Sequence, residues 1–151
     1  MLEKIDRVQL HFLRDLDMTE KTAFLEFNFA PPKLRRNIGI LGLLHKRILG
    51  RAHPIFEHLF PFHAHRYGEL RPGEHTKQLD GHYLDISFQY RLHQRSIFNM
   101  AQVYNRLPQY VADCESISLF QKELTRIARK SCEEGSDSWT NMFACRLKIC
   151  I

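Results

Sequence analysis

The sequence predicts an all-α fold, and three observations carry that expectation. Apolar residues recur at three- and four-residue spacing through most of the chain. Helix start and stop signals (Thr19, Pro32, Gly50, Pro108, Ser116 and Gly135) fall where that spacing begins and ends. Only residues 83–92 alternate weakly enough to be read as strand or helix. About five or six helices are expected, in two small lobes (1–60 and 83–151) separated by a long His-rich loop at 61–82. With 151 residues, 44% of them hydrophobic and 26% charged, the chain can bury a core without metal or disulfide. That composition excludes a collagen, a coiled-coil rod and a disulfide knot.

The first helix is expected over 2–16, with Ile5, Val8, Phe12, Leu13 and Leu16 as its apolar face. Thr19 is the N-cap of a second, short helix that buries Ala23, Leu25 or Phe27 and stops at Asn28. Pro31-Pro32 interrupts the chain, and Pro32 suits the first position of the next helix.

That third helix, 32–49 with Gly50 as its stop, centres the first half. Leu34, Ile38, Leu41, His45, Ile48 and Leu49 share one side, while Ile40 and Leu43 make the waist apolar nearly all round. His45 on that stripe reads as a core or semi-buried histidine. Gly39 and Gly42 thin the waist for a close helix approach, at about 1 kcal/mol each in propensity. Lys33, Arg35 and Arg36 sit in the first turn, where cations oppose the helix dipole. They call for an anionic partner, either a phosphate or a neighbouring carboxylate. Lys46, Arg47 and Arg51 crowd the other end.

A short apolar turn follows at Phe56, Leu59 and Phe60, and then the periodicity dissolves into the His-rich surface loop. Helical spacing resumes at Ile97, Met100, Ala101 and Tyr104 and ends at Pro108. The clearest helix starts at Ser116 and stops at Gly135, with Ile117, Phe120, Leu124, Ile127, Ala128 and Ser131 on its inner face. Lys122, Arg126, Arg129 and Lys130 form a basic arc of about 100° opposite. The tail carries Trp139, Met142 and Phe143.

Lys plus Arg number 22 against 17 Asp plus Glu, a formal +5, which mildly favours an acidic partner. The first residues form a charged helix rather than an apolar leader, so an intracellular chain (cytoplasm or nucleus) with reduced thiols is expected at Cys114, Cys132, Cys145 and Cys150. The longest uncharged apolar run, 38–44, falls far short of the ~20 residues needed to span a bilayer, so no membrane partner is expected.

Enzymatic chemistry finds little footing. His63 and His65, with His53, His58, His75 and His82 nearby, match no closed zinc spacing. No nucleophile elbow or phosphate-binding glycine loop is present. No Asp-Asp pair offers a two-metal centre, and Cys114 lies between Asp113 and Glu115, which disfavour a thiolate. The expectation is therefore no catalytic residue, no metal and no cofactor. Binding remains, through two basic surfaces: Lys33, Arg35, Arg36, Lys46 and Arg47 on the third helix, and Lys122, Arg126, Arg129 and Lys130. Tyr67, Tyr83 and Tyr90 are candidates for base stacking.

Three stretches in order resemble a known family. The first runs through Ile5-Asp6-Arg7-Val8-Gln9, Phe12-Leu13-Arg14, Ala30-Pro31-Pro32, Leu34-Arg35-Arg36 and Leu43-Leu44-His45-Lys46. The second is Arg95 to Phe98 continuing to Val103-Tyr104-Asn105-Arg106-Leu107-Pro108, and the third is Ser116 to Leu124. Together they are similar to the region after the polymerase palm of non-LTR (LINE-type) retrotransposon reverse transcriptases. The resemblance extends to about Phe143. It implies a thumb and post-thumb region, with 1–60 as the thumb-like lobe, that holds RNA or an RNA–DNA duplex by its phosphates. Chemistry would stay with a separate or missing palm, since the carboxylate turn of that palm is absent from this sequence. It also implies that Tyr104, Asn105, Leu107 and Pro108 form a structural helix stop; the plainer reading of these residues, which is preferred, has Tyr104 in the core and Asn105-Arg106 as an exposed turn. Other readings are a helical protein-interaction module anchored by Trp139, Met142 and Phe143, a His-liganded metalloprotein, or an inert relic of a mobile element.

Overall fold

The computed structural model describes residues 2–63, 75–80 and 97–144. These form seven α-helices, α1 (Leu2–Asp15), α2 (Glu20–Phe27), α3 (Pro32–Ile48), α4 (Ile55–Leu59), α5 (Ile97–Tyr104), α6 (Gln109–Ala112) and α7 (Ile117–Glu133), and a 3-10 turn at Trp139–Asn141. The only extended pairing among the described residues is an isolated antiparallel bridge between Phe62 and Leu79. The fold is all-α. No helix among the described residues is long and apolar enough to cross a membrane. The weakly alternating stretch 83–92, with Tyr67, His65 and His82, lies outside the described residues.

Helix boundaries follow local chemistry. Thr19 Oγ1 accepts the Thr22 N–H at 3.1 Å, and Asn28 ends α2 in the left-handed region at φ 54°. Ser116 Oγ accepts the Leu119 N–H at 3.2 Å to start α7, and Gly135 follows its end at φ 76°. Pro32 opens α3, and Gly50 at φ 66° turns the chain away from it.

α3 is the axis of the core, packing against α7, α5, α1 and the Trp139 turn. Leu34, Ile38, Leu41 and Leu44 are buried from α3, and Phe120, Leu124, Ala128 and Cys132 from α7. The two helices run antiparallel: His45 near the end of α3 stacks on Phe120 near the start of α7, while Lys33 at the start of α3 reaches Asn141 beyond the end of α7. Gly42 is the point of closest approach, where a Cβ would lie 2.6 Å from the Gln121 amide nitrogen. Gly39 faces open space instead, so only one of the two glycines serves the contact. The elements expected in two lobes contribute to this one core, because Tyr104, Met100 and Phe120 pack with Phe24, Leu34 and Leu41.

Three polar features knit the core. His45 Nε2 lies 2.8 Å from the Cys114 carbonyl, which can only accept, so Nε2 carries the proton. Nδ1 then accepts from the Tyr104 hydroxyl at 2.9 Å. Burial drives the His45 imidazole below its usual pKa and the Tyr104 phenol above its own. Residues 75–80, expected in the surface loop, are instead anchored to the core by two buried side chains, while Thr76 stays exposed. His75 is fully buried and donates to the Tyr104 carbonyl at 2.9 Å, and Leu79 is buried. The Asn105 side chain accepts from the Leu79 N–H and donates to the Leu79 carbonyl, both at 2.9 Å, so in the turn at Asn105-Arg106 only Arg106 is exposed and Asn105 clamps this segment.

Two expected faces are also revised. On α2, Ala23 and Phe24 are buried while Phe27 is exposed. On α1 only Leu13 of the apolar face is buried, and Ile5, Val8, Phe12 and Leu16 point outward. The cause is polar: Gln9 inserts against the Ala30 carbonyl, and Asp6 is gripped by Arg36, which rotates the apolar stripe away from α3. Trp139 stacks on Phe24 at 5.2 Å between centroids and Phe143 is buried, so most of the expected tail anchor is turned into the core.

Leu41→Ala should cost about 2–5 kcal/mol in chemical denaturation, because the side chain is fully enclosed. His45→Phe keeps the stack on Phe120 but strands the Tyr104 hydroxyl, a loss of about 1–3 kcal/mol. The wild-type protein should also lose stability on acidification. A His whose folded pKa is depressed leaves stability intact above 6.5 and erodes it as pH falls from there towards the folded value. The same substitution should flatten the melting profile across that window.

Candidate nucleic-acid interface

The outer face of α7 and the short α6 form one surface. α6 follows Pro108, and its Val111 and Ala112 are buried, which leaves Tyr110 on the outside at 52% exposure. α7 buries Phe120, Leu124 and Ala128, so helical spacing carries Arg126 and Lys130 onto the opposite side, towards Tyr110. Between them runs an open groove of about 680 Å³ lined by Tyr110, Arg126, Ile127, Lys130, Ser131, Glu134 and Met142, so one carboxylate shares the wall with the two cations. An exposed aromatic ring beside two cations is an arrangement that can stack a base and meet phosphate. The sequence pattern had singled out the cations but not Tyr110, Ser131 or Met142 as their companions.

These cations have local partners. Arg126 is paired with Glu123 at 2.8 Å, which with a smaller contribution from Tyr110 holds the guanidinium more firmly charged. Lys130 lies 3.8 Å from Glu134. Both pairs are solvent-exposed, a class worth about 0–1 kcal/mol, so a phosphate can displace them at little cost. Lys122 is exposed and without an ionic partner among the described residues. Arg129 differs. Its guanidinium donates to the Leu25 carbonyl, tying α7 to α2, and lies 3.7 Å from Glu133.

On α3 most of the cations are engaged by groups of the fold, although only Arg47 is buried. Arg36 makes a bidentate pair with Asp6 at 2.7 and 2.9 Å, and holds that carboxyl below its usual pKa. Of the two anions considered for this turn, Arg36 has the carboxylate. Arg35 donates to Gln9 Oε1 at 3.1 Å and lies over the Phe29 ring, and Lys33 donates to Asn141 at 2.5 Å. Arg47, expected at a wet helix end, is buried; it donates to the Phe60 carbonyl at 3.2 Å and sits 4.3 Å from the Phe62 ring centre. Lys46 alone of this group has no such partner among the described residues.

The remaining chemistry-bearing groups serve structure. No cluster of three metal-ligating side chains occurs among the described residues. His75 is engaged by Tyr104, and His53 Nδ1 accepts the Ile55 N–H. Burial, then Glu123 and Asp113, push the Cys114 thiol upward, and burial does the same for Cys132. Both are therefore poor nucleophiles at neutral pH.

Arg129→Ala should destabilise the protein by about 1 kcal/mol, since it removes a hydrogen bond between helices. Lys122→Ala should change stability by no more than about 0.5 kcal/mol. Thermal melts of the two variants check the division between a structural and an outward-facing cation.

No protein-family model, curated protein or solved structure matches the chain at a significant level.

Proposed function

We propose that this chain is the thumb and post-thumb part of a non-LTR retrotransposon reverse transcriptase, without catalytic residues of its own. In this reading it contacts template RNA or an RNA–DNA duplex. The observation that carries the binding reading is the groove in which Tyr110 stands with Arg126 and Lys130. Neither cation is locked into the fold, in contrast to Arg36, Arg47 and Arg129, so both are available to phosphate. The family reading rests on the resemblance of the three stretches. In its favour, each stretch supplies one member of the buried His45, Tyr104 and Phe120 cluster, so the residues that carry the resemblance are those that close the core.

The test is binding of the purified chain to short single-stranded RNA and to an RNA–DNA duplex across a salt series. Affinity should fall with salt. Arg126→Gln with Lys130→Gln should weaken binding about equally for all sequences and flatten the slope for single strands by about 0.7 per cation lost. Tyr110→Ala should cost about 1–3 kcal/mol on single-stranded RNA and much less on the duplex, where bases are already stacked. A folded chain that binds neither nucleic acid at low salt overturns the proposal.

A further inference from the structure

We infer that the apolar stripe of α1 is a self-association surface, on which a second copy of this chain packs its own α1 in antiparallel orientation. Ile5, Val8, Phe12 and Leu16 are 54, 67, 52 and 53% exposed. At 3.6 residues per turn they fall within an arc of about 80° and extend along about 17 Å of helix. The stripe is not an accident of loose docking. The adjacent face of α1 is fixed to α3 by Leu13, Gln9 and the Asp6–Arg36 pair, and Phe12 is steadied edge-on by Phe29.

What selects a second copy is that the stripe and its rim are palindromic. A two-fold axis at the level of residue 10 sets Val8 opposite Phe12 of the other copy and Ile5 beside Leu16 of the other copy, each within one residue's rise. The same axis brings Lys4 level with Asp15 of the other copy, and Asp15 level with Lys4. Lys4 and Asp15 lie on the same flank of the stripe, and an antiparallel pair of helices apposes like flanks. Both are exposed and have no ionic partner among the described residues. An isologous interface of this kind closes at two copies, and its small area places it in the weak class.

Sedimentation equilibrium of the full chain tests this. A monomer–dimer equilibrium is expected, with a dissociation constant on the order of tens of micromolar. Phe12→Glu should abolish it at a small cost in melting temperature, because the half-exposed side chain gives up only its edge contact with Phe29. Lys4→Asp should weaken dimerisation about tenfold by turning both rim pairs repulsive, and Lys4→Asp with Asp15→Lys should restore it. The inference is overturned by a chain that stays monomeric up to several hundred micromolar, by a dimer indifferent to Phe12→Glu, or by failure of the double exchange to rescue. A monomer that uses Phe12 to bind lipid vesicles would equally overturn it.

Discussion

The junction of His45, Tyr104 and Phe120 is the constraint on which the rest of this fold depends. His45 comes from α3, Tyr104 from the end of α5 and Phe120 from the first turn of α7, so one stacked and hydrogen-bonded cluster joins three separate segments. The imidazole has a single tautomer that satisfies both neighbours, because the Cys114 carbonyl accepts from one nitrogen and the Tyr104 hydroxyl donates to the other. A buried polar group with all its partners fixes orientation as well as position. The Tyr104 carbonyl then receives His75, and the adjacent Asn105 clamps Leu79, so the segment 75–80 is ordered from the same junction.

Around that centre the cations divide into two groups by what they face. Arg36, Arg47 and Arg129 bind carboxylate or carbonyl groups of the fold and act as cross-links between elements. Arginine suits this work because its planar fork can satisfy several acceptors at once. Arg126 and Lys130 pair with glutamates on their own helix or just past its end, in pairs that water already weakens, and Arg126 also interacts with Tyr110. The formal +5 therefore overstates the repulsion inside the molecule and understates how selectively the outward charge is placed. In the groove at Tyr110 an exposed aromatic side chain meets such outward cations.

α1 shows the opposite balance between polar and apolar forces. A helix with four large apolar side chains on one face would ordinarily bury that face. Here Asp6 and Gln9 hold the adjacent face against α3, and the apolar stripe is left in solvent. Several exposed apolar groups in line cost hydration free energy unless something covers them. The symmetric disposition of Lys4 and Asp15 about that stripe is the physical feature that gives it a specific rather than an indiscriminate partner.

Much of the secondary structure was legible in the sequence, because capping and spacing are local. Thr19, Asn28, Pro32, Ser116 and Gly135 act on their own few residues, and the helices begin and end beside them. The core position of His45 was legible too, since it lies on the same stripe as Leu34, Ile38 and Leu41. What the chain order could not express were contacts between residues far apart. Nothing near Arg36 announces Asp6, nothing near Asn105 announces Leu79, and Trp139 looks like a free anchor until Phe24 is set against it. Periodicity identifies a helix's apolar face but not whether a polar neighbour holds a different face inward, as Gln9 and Asp6 do. Amino-acid order by itself determined an all-α chain with its helix ends and its basic arcs. Tertiary packing alone decided which cations face outward and which aromatic stands among them, because those outcomes depend on pairings across more than a dozen and up to about a hundred residues rather than across one turn.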